Sequence, residues 1–275
     1  MVSYFGNLLI KPWEHLEELY FNEVSMAWPG FIQVAYMQQK NLFEVEEATS
    51  LHVQPPDSPE SETCTSHWEK IFWAQGYTRL AGVDEVGRGA WAGPVITAAV
   101  ILDPENIPTG LNDSKKLSAP QRTYLAELIT QSALSLAFGT QSATEIDTFN
   151  ILEATRRAMM QAIEQLAPTP DFLLIDAVHL PKVKIPRQSI IRGDAQSVSI
   201  AAASIVAKVY RDQLMTAFDT QYPGYGFARH KGYGTAEHQA ALEKLGPCVI
   251  HRLSFRGVVK KEADFGLLSP VEPSL

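Results

Sequence analysis

Four acidic residues of this sequence follow short apolar segments, where their carboxylates could bind a metal ion. Asp84 and Glu85 end one apolar run, Asp176 directly follows another, and Asp194 lies between a further apolar segment and a long helical pattern. Burying carboxylates together is costly, because their charges repel one another and lose hydration. Since Mg²⁺ and Mn²⁺ prefer carboxylate oxygens, the pattern favours a metal site of the kind that stabilises phosphoryl displacement.

Each of these acids also has a simpler interpretation. Asp194 could cap the helix that follows it, Asp176 could accept a surface hydrogen bond, and Asp84 and Glu85 could both be solvated. Alternation along a strand also sends Asp84 and Glu85 to opposite faces. Both can therefore reach one metal site only if the strand ends or twists there, and Gly87 is consistent with such an end.

The elements that must position these acids are predicted from hydrophobic periodicity and turn residues. The strand, strand, helix order at the start, followed by alternating strands and helices, favours an α/β fold with a mixed five-stranded sheet flanked by helices. The carboxyl ends of parallel strands meet at one edge of such a sheet, so we expect the acids to gather there. The predicted strands cover residues 79–86, 94–102, 133–140, 172–175 and 188–192, and the predicted helices cover 120–131, 143–166 and 196–220.

The net charge of −8 is unevenly distributed along the 275 residues. Residues 1–76 contain three Lys/Arg and eleven Asp/Glu, whereas residues 182–261 contain thirteen Lys/Arg and five Asp/Glu. The second half of the main domain could therefore present a basic surface to phosphates, and an evenly solvated surface fits the charge equally well.

Composition predicts three parts. Residues 1–76 are predicted to be an acidic extension with a flexible Pro/Ser/Glu-rich linker at 50–66, residues 77–262 the main domain, and residues 263–275 a tail. We therefore expect removal of residues 1–70 to leave the activity largely intact.

The sequence indicates no route into a membrane or out of the cell. No apolar run approaches the roughly 20 residues of a membrane span, and the N-terminus lacks the pattern of a secretory signal. Cys64 and Cys248 are expected to be free thiols. A cytoplasmic monomer is expected.

Five short segments are informative as a set, because of their order and spacing. They are Gly82–Gly89, Asn112–Ser118, Leu174–Asp176, Ala202–Lys208 and His230–Thr235. Together they resemble the signature blocks of the bacterial ribonuclease HII family, and the resemblance covers about residues 77–260.

This resemblance implies a ribonuclease H-like fold with extra C-terminal helices. It implies an endonuclease that cleaves the RNA strand of RNA–DNA hybrids and nicks duplex DNA 5′ to embedded ribonucleotides, with two Mn²⁺ or Mg²⁺ ions, leaving 3′-hydroxyl and 5′-phosphate ends. The expected partners are RNA–DNA hybrids and ribonucleotide-containing duplex DNA, with no membrane.

The resemblance also implies roles for three groups of residues. Acids hold the metal ions, the backbone of a glycine loop reads the 2′-hydroxyl, and a tyrosine stacks on the sugar 3′ of the ribonucleotide. The matching residues are Asp84, Glu85, Asp176 and Asp194 for the metal ions, Gly87, Arg88, Gly89 and Tyr233 for the ribonucleotide, and Lys115, Ser204 and Lys208 for the wider substrate cleft.

Two other classes of protein share parts of this pattern. A dinucleotide-binding oxidoreductase would explain the glycines of residues 87–93 and the position of Asp103, but its glycine motif must open a helix. Here Pro94 and a β-branched run predict a strand instead. A non-catalytic nucleic-acid-binding module could present the same basic surface, although every expected carboxylate is present. Metal-dependent nicking distinguishes that module from an enzyme.

Overall fold

Apolar strands form the centre of this α/β fold, and their order places two of the acids side by side. The structure is a computed structural model that describes residues 64–259. The strands are β1 (Leu80–Val86), β2 (Val95–Ile101), β3 (Ser135–Gln141), β4 (Phe172–Asp176) and β5 (Arg187–Ile190). β1 and β2 pair antiparallel, as do β2 and β3, whereas β1 pairs parallel with β4 and β4 with β5, in the order β3-β2-β1-β4-β5. The predicted mixed five-stranded sheet is confirmed.

Helices cover both faces of the sheet. They are α1 (His67–Trp73), α2 (Ala119–Ser132), α3 (Ala143–Phe149), α4 (Ile151–Glu164), α5 (Val198–Gln221), α6 (Phe227–His230) and α7 (Ala236–Leu245), with a 3-10 turn at Gly193–Ala195. One face packs against α4, and the opposite face packs against α2 and the long helix α5. α6 and α7 are the C-terminal helices that the sequence led us to expect.

The predicted single helix over residues 143–166 is wrong, because Asn150 interrupts it and divides it into α3 and α4. This residue has a φ of 66°, which ends α3. Its side-chain oxygen accepts hydrogen bonds from the backbone N–H groups of Leu152 at 3.0 Å and Glu153 at 3.2 Å. Asn150 is therefore the N-cap of α4. Asparagine is one of the few residues that adopt positive φ readily, and the apolar spacing on either side conceals the break.

The predicted domain boundary after residue 76 is too late, because α1 packs into the core. Trp68 and Phe72 are buried, and the Phe72 ring stacks on Phe172 with 4.0 Å between centroids. The Glu69 carboxylate accepts hydrogen bonds from the Ser197 hydroxyl at 2.5 Å and the Ser199 N–H at 2.9 Å. Buried apolar contacts and these two bonds make α1 part of the folded unit.

Several predictions on the chain ends lie outside the described residues. They concern residues 1–63, which include most of the predicted extension and linker, and the predicted tail at 263–275. Within residues 64–259, none of the helices combines the length and apolar content that a membrane span requires. Cys64 and Cys248 are free cysteines, as expected.

Gly82 allows α5 to approach β1 very closely. A Cβ atom at this position would lie 2.0 Å from the Ser199 carbonyl carbon. We expect Gly82→Ala to lower the free energy of unfolding by about 3 kcal/mol, because backbone atoms would have to move apart. Urea denaturation measures this loss. Gly89→Ala is the control, since a Cβ there would meet nothing within 4 Å, and an equal loss in both variants would contradict the argument.

Candidate active site

The ends of β1 and β4 bring Asp84 and Asp176 next to each other. Val83 pairs with Ile175 in the parallel ladder, and the two aspartates are the next residues on the two strands. Neighbouring strands lie about 5 Å apart, and residues in register point to the same face. That face is the one covered by α5, so both carboxylates point toward the beginning of this helix.

Asp84 is a buried carboxylate, with only 5% of its surface exposed. Burial raises its pKa well above the usual value, and the charges of Glu85 and Asp176 raise it further. A hydrogen bond from the Ser204 hydroxyl acts in the opposite direction, and that hydroxyl lies 3.0 Å from the Ser114 hydroxyl. Asp84 is therefore held in a place where its negative charge is strongly disfavoured unless a cation binds.

Glu85 has one paired and one unpaired carboxylate oxygen. Its Oε1 accepts a hydrogen bond from Arg88 Nη1 at 3.1 Å, whereas its Oε2 is buried without any hydrogen-bond partner. Burial raises the pKa of Glu85, and the neighbouring Arg88 charge opposes this rise. A buried acceptor without a donor is unusual in folded proteins, and a metal ion would satisfy it.

Asp176 and Asp194 meet at the turn before α5. The Gly193 N–H donates to Asp176 at 2.7 Å, and burial raises the pKa of Asp176 while this bond opposes the rise. Asp194 is 6% exposed, and Lys115 Nζ lies 3.3 Å from its Oδ2. Ser197, whose hydroxyl accepts the Ile200 N–H, caps α5. The sequence left undecided whether Asp194 caps this helix, and the structure shows that Ser197 does so instead.

These acids fit a hard divalent cation by donor type and charge. Within residues 64–259, no three Asp, Glu, His or Cys side chains are already gathered around one point as a metal ion requires. The carboxylates instead use nearby N–H groups and Lys115. The buried Glu85 Oε2 lacks a hydrogen-bond partner, and the raised pKa values of Asp84, Glu85 and Asp176 show that their negative charges are poorly compensated, so an oxygen-seeking cation would stabilise them.

The glycine loop after β1, residues 87–93, is hydrogen-bonded to the buried arginine Arg252. Gly87 has a φ of 90° and is buried, whereas Arg88 and Gly89 are exposed. The Arg252 guanidinium donates to the Arg88 carbonyl at 2.9 Å and to the Gly93 carbonyl at 2.8 Å. Strand β2 follows this loop. Because a dinucleotide-binding motif would need a helix there, the oxidoreductase alternative is excluded.

Tyr233 lies on a second loop that is bonded to the glycine loop. The Gly232 carbonyl accepts the Trp91 N–H at 2.8 Å, and a Cβ on Gly232 would lie 2.4 Å from the Ala92 oxygen. The Tyr233 side chain is partly exposed, as 36% of its surface is accessible. The structure thus places the tyrosine on a loop surface, and not inside the core.

Three buried histidines, His230, His238 and His251, lie together beside the loop of Tyr233. A carbonyl can only accept, so His238 Nδ1 donates to the Tyr233 carbonyl at 3.0 Å. His238 Nε2 then accepts from His251 Nε2 at 3.0 Å, and His251 Nδ1 accepts the Cys248 N–H at 2.9 Å. His230 stacks on His238 with 4.4 Å between centroids. Burial lowers the pKa of His238 and of His251 to about 4, which keeps these rings neutral.

The two lysines of the predicted cleft differ in their surroundings. Lys115 is 79% exposed at its side chain and reaches Asp194. Lys208 lies on α5, where its Nζ donates to Asp212 at 2.7 Å. The structure therefore brings Lys115, but not the Lys208 charge, into contact with the acids.

Sequence reasoning missed three buried charged residues. Arg211 and Arg252 bond carbonyl groups of the two loops, and Glu69 bonds the beginning of α5. A signal for Arg211 is present, since it lies four residues after Ala207 on the apolar stripe of α5. Charged residues are almost never fully buried without a partner. An arginine at such a position on an apolar stripe therefore predicts that several hydrogen-bond acceptors surround its guanidinium.

Comparison with known proteins identifies the family of this chain. The sequence model of the Ribonuclease HII family matches residues 81–258. Ribonuclease HII of Syntrophotalea carbinolica is 48% identical over 200 residues, covering 73% of this chain and 96% of that protein. Ribonuclease HII of Geobacter metallireducens is 53% identical over 191 residues, covering 70% and 90%.

The fold has a counterpart among solved structures. The crystal structure of ribonuclease H2 from Pyrococcus horikoshii aligns with a TM-score of 0.57 at 24% identity, covering 66% of this chain and 95% of that one. This likeness concerns the fold alone, and the sequence matches carry the assignment. The chain belongs to the ribonuclease HII family, which groups metal-dependent endonucleases of the type 2 ribonuclease H class.

Proposed function

We propose that this chain hydrolyses the RNA strand of RNA–DNA hybrids and nicks duplex DNA on the 5′ side of an embedded ribonucleotide, leaving 3′-hydroxyl and 5′-phosphate ends. Membership of the family supports ribonuclease activity on hybrids. The observation that carries the finer proposal is the adjacency of Asp84 and Asp176, beside a glycine loop bonded to the loop of Tyr233. The acids proposed for hydrolysis, at the ends of β1 and β4, are thus close in the chain or the sheet to the glycine loop proposed to read the sugar.

Asp84, Glu85, Asp176 and Asp194 would hold two divalent ions, either Mg²⁺ or Mn²⁺. Such a pair supplies charge stabilisation for the phosphate and a lowered pKa for water. The chain itself contributes fixed carboxylates and Lys115, whose exposed ammonium group beside Asp194 is available to a phosphate oxygen. This supports hydrolysis by water without a side-chain nucleophile.

The glycine loop supports recognition of the 2′-hydroxyl. A Cβ on Gly89 would meet nothing within 4 Å, so the backbone there faces open space. Arg88 is 42% exposed at its side chain and is oriented by Glu85, from where it can bind a phosphate in a bidentate manner. The 2′-hydroxyl both donates and accepts hydrogen bonds, and it distinguishes a ribonucleotide from its neighbours in DNA.

Nicking of two duplexes tests the proposal. One carries a single ribonucleotide within DNA and the other is an RNA–DNA hybrid, each with Mg²⁺, with Mn²⁺ or with a chelator. We expect metal-dependent cleavage of both and a cut 5′ to the single ribonucleotide. Binding of both duplexes without any cleavage would instead identify a non-catalytic module. The expected monomeric state and cytoplasmic location stay predictions.

Tyr233→Ala is expected to reduce the preference for a ribonucleotide followed by a deoxyribonucleotide. Stacking of an aromatic ring on a base contributes about 1–3 kcal/mol. With a value near the lower end for the contact with a sugar, we expect the ratio of single-ribonucleotide nicking to hybrid cleavage to fall roughly tenfold. The ratio of kcat/KM values on the two duplexes measures this. Tyr233→Phe keeps the ring and serves as the control. An unchanged ratio in Tyr233→Ala would show that the tyrosine is only structural.

A further inference from the structure

Arg211 is a fully buried arginine of α5 that bonds both substrate-facing loops at once. Its guanidinium donates to the Pro94 carbonyl at 3.0 Å, the Ala92 carbonyl at 3.1 Å and the Lys231 carbonyl at 2.9 Å. The first two carbonyls belong to the segment that continues the glycine loop, and the third lies two residues before Tyr233. One rigid cation therefore joins the two loops.

The same guanidinium lies directly beneath Gly87 and Tyr233. A Cβ on Gly87 would lie 2.2 Å from Arg211 Nε, so only glycine leaves room for this arrangement. The Tyr233 ring centroid lies 5.5 Å from Arg211 Cζ, within cation–π range. Arg211 thus contacts the backbone proposed to read the 2′-hydroxyl and the ring proposed to stack on the next sugar.

Arg252 offers a natural comparison within the same site. It is equally buried, and its guanidinium donates to the Gly93 and Arg88 carbonyls. Those carbonyls belong to the glycine loop and not to the loop of Tyr233. Arg252 therefore holds one loop, whereas Arg211 spans both.

We propose that Arg211 is a positioning residue that sets the distance between the Gly87 backbone and the Tyr233 ring, and thereby the specificity for a ribonucleotide followed by a deoxyribonucleotide. The inference rests on the proposed function. The planar guanidinium holds several acceptors in a fixed geometry, which the compact ammonium group of lysine does not reproduce. A small shift between the loops would alter the fit of two consecutive sugars without removing any group that contacts them.

The test compares Arg211→Lys and Arg252→Lys on the single-ribonucleotide duplex and the hybrid. We expect Arg211→Lys to lower the ratio of the two kcat/KM values at least fivefold. Arg252→Lys should lower both values by similar factors, because the glycine loop reads a ribonucleotide in either substrate. Thermal unfolding of each variant measures the accompanying loss of stability.

A double-mutant cycle with Tyr233→Ala separates positioning from general damage. If Arg211 acts through the ring, Arg211→Lys causes no further fall of the ratio in the Tyr233→Ala background. The same fall in both backgrounds, or an unchanged ratio in Arg211→Lys alone, would overturn the inference. If Arg211→Lys does not fold, Arg211→Gln, which keeps a planar donor group, is measured by the same criteria.

The outcomes also separate this inference from the proposed function. Failure of the unmodified chain to nick the single-ribonucleotide duplex refutes the proposed function itself. If the chain nicks and Tyr233→Ala lowers the ratio while Arg211→Lys does not, only the role of Arg211 is refuted.

Discussion

Asp84→Asn is expected to lower the rate of metal-dependent cleavage by about three orders of magnitude or more. The change removes a negative charge from the centre of the acidic group while preserving the shape of the side chain. Since the ions of such a site supply several kcal/mol of transition-state stabilisation, a loss of about 4 kcal/mol corresponds to a thousandfold lower rate. The same reasoning applies to Asp176→Asn on the neighbouring strand.

The same substitution should make the metal-free protein more stable at neutral pH. Burial raises the pKa of Asp84 in the folded state, so the folded state is favoured at low pH and loses stability as the pH rises from about 4 toward the folded pKa. Asparagine does not ionise and avoids this loss. The stability advantage of the variant should therefore increase from acidic to neutral pH.

Thermal unfolding and nicking together test both parts of this prediction. We expect saturating Mn²⁺ to raise the Tm of the unmodified chain more than that of Asp84→Asn, because fewer carboxylates are available to the ions. Asp103→Asn, at a surface turn where Asp103 accepts the Glu105 N–H, is the matched control and should resemble the unmodified chain. Near-normal cleavage by Asp84→Asn would remove this residue from the metal site.

Removal of residues 1–76 is expected to unfold most of the protein at physiological temperature. The deletion takes away Trp68 and Phe72, which pack against Leu80, Phe172 and Ile200 in the core. Truncation of a buried Phe or Trp costs about 3–5 kcal/mol, and a domain has a total stability of about 5–15 kcal/mol. The sequence-based expectation was that residues 1–70 are dispensable for activity. We now expect that a chain without α1 loses the stability it needs to fold.

A chain that starts at residue 64 provides the contrasting case. It keeps α1 and the Glu69 bonds to Ser197 and Ser199, so we expect its Tm and nicking rate to match those of the full chain. Phe72→Ala in the full chain should lose about 3–5 kcal/mol, measured by urea denaturation, whereas the exposed Lys70→Ala on the same helix should not. Full stability and activity in a chain that starts at residue 77 would contradict this account.

Local patterns in the sequence were sufficient to predict a mixed five-stranded sheet and acidic residues at the ends of β1 and β4. Apolar runs of β length mark β1 and β4, and the acidic residues at their ends are read directly from the chain. These features are local, since strand formation and turn chemistry depend on neighbouring residues. The order of the five motif segments also indicated the family that the comparisons show.

The partners of the buried charged residues, by contrast, became visible in the folded chain alone. Arg211 bonds carbonyl groups more than a hundred residues away, and Glu69 bonds the beginning of α5 at a similar separation. Backbone carbonyl and N–H groups are present at almost every residue, so sequence offers no sign of which ones a buried charge will choose. These partners are selected by the folding of distant segments onto one another, and not by residue type.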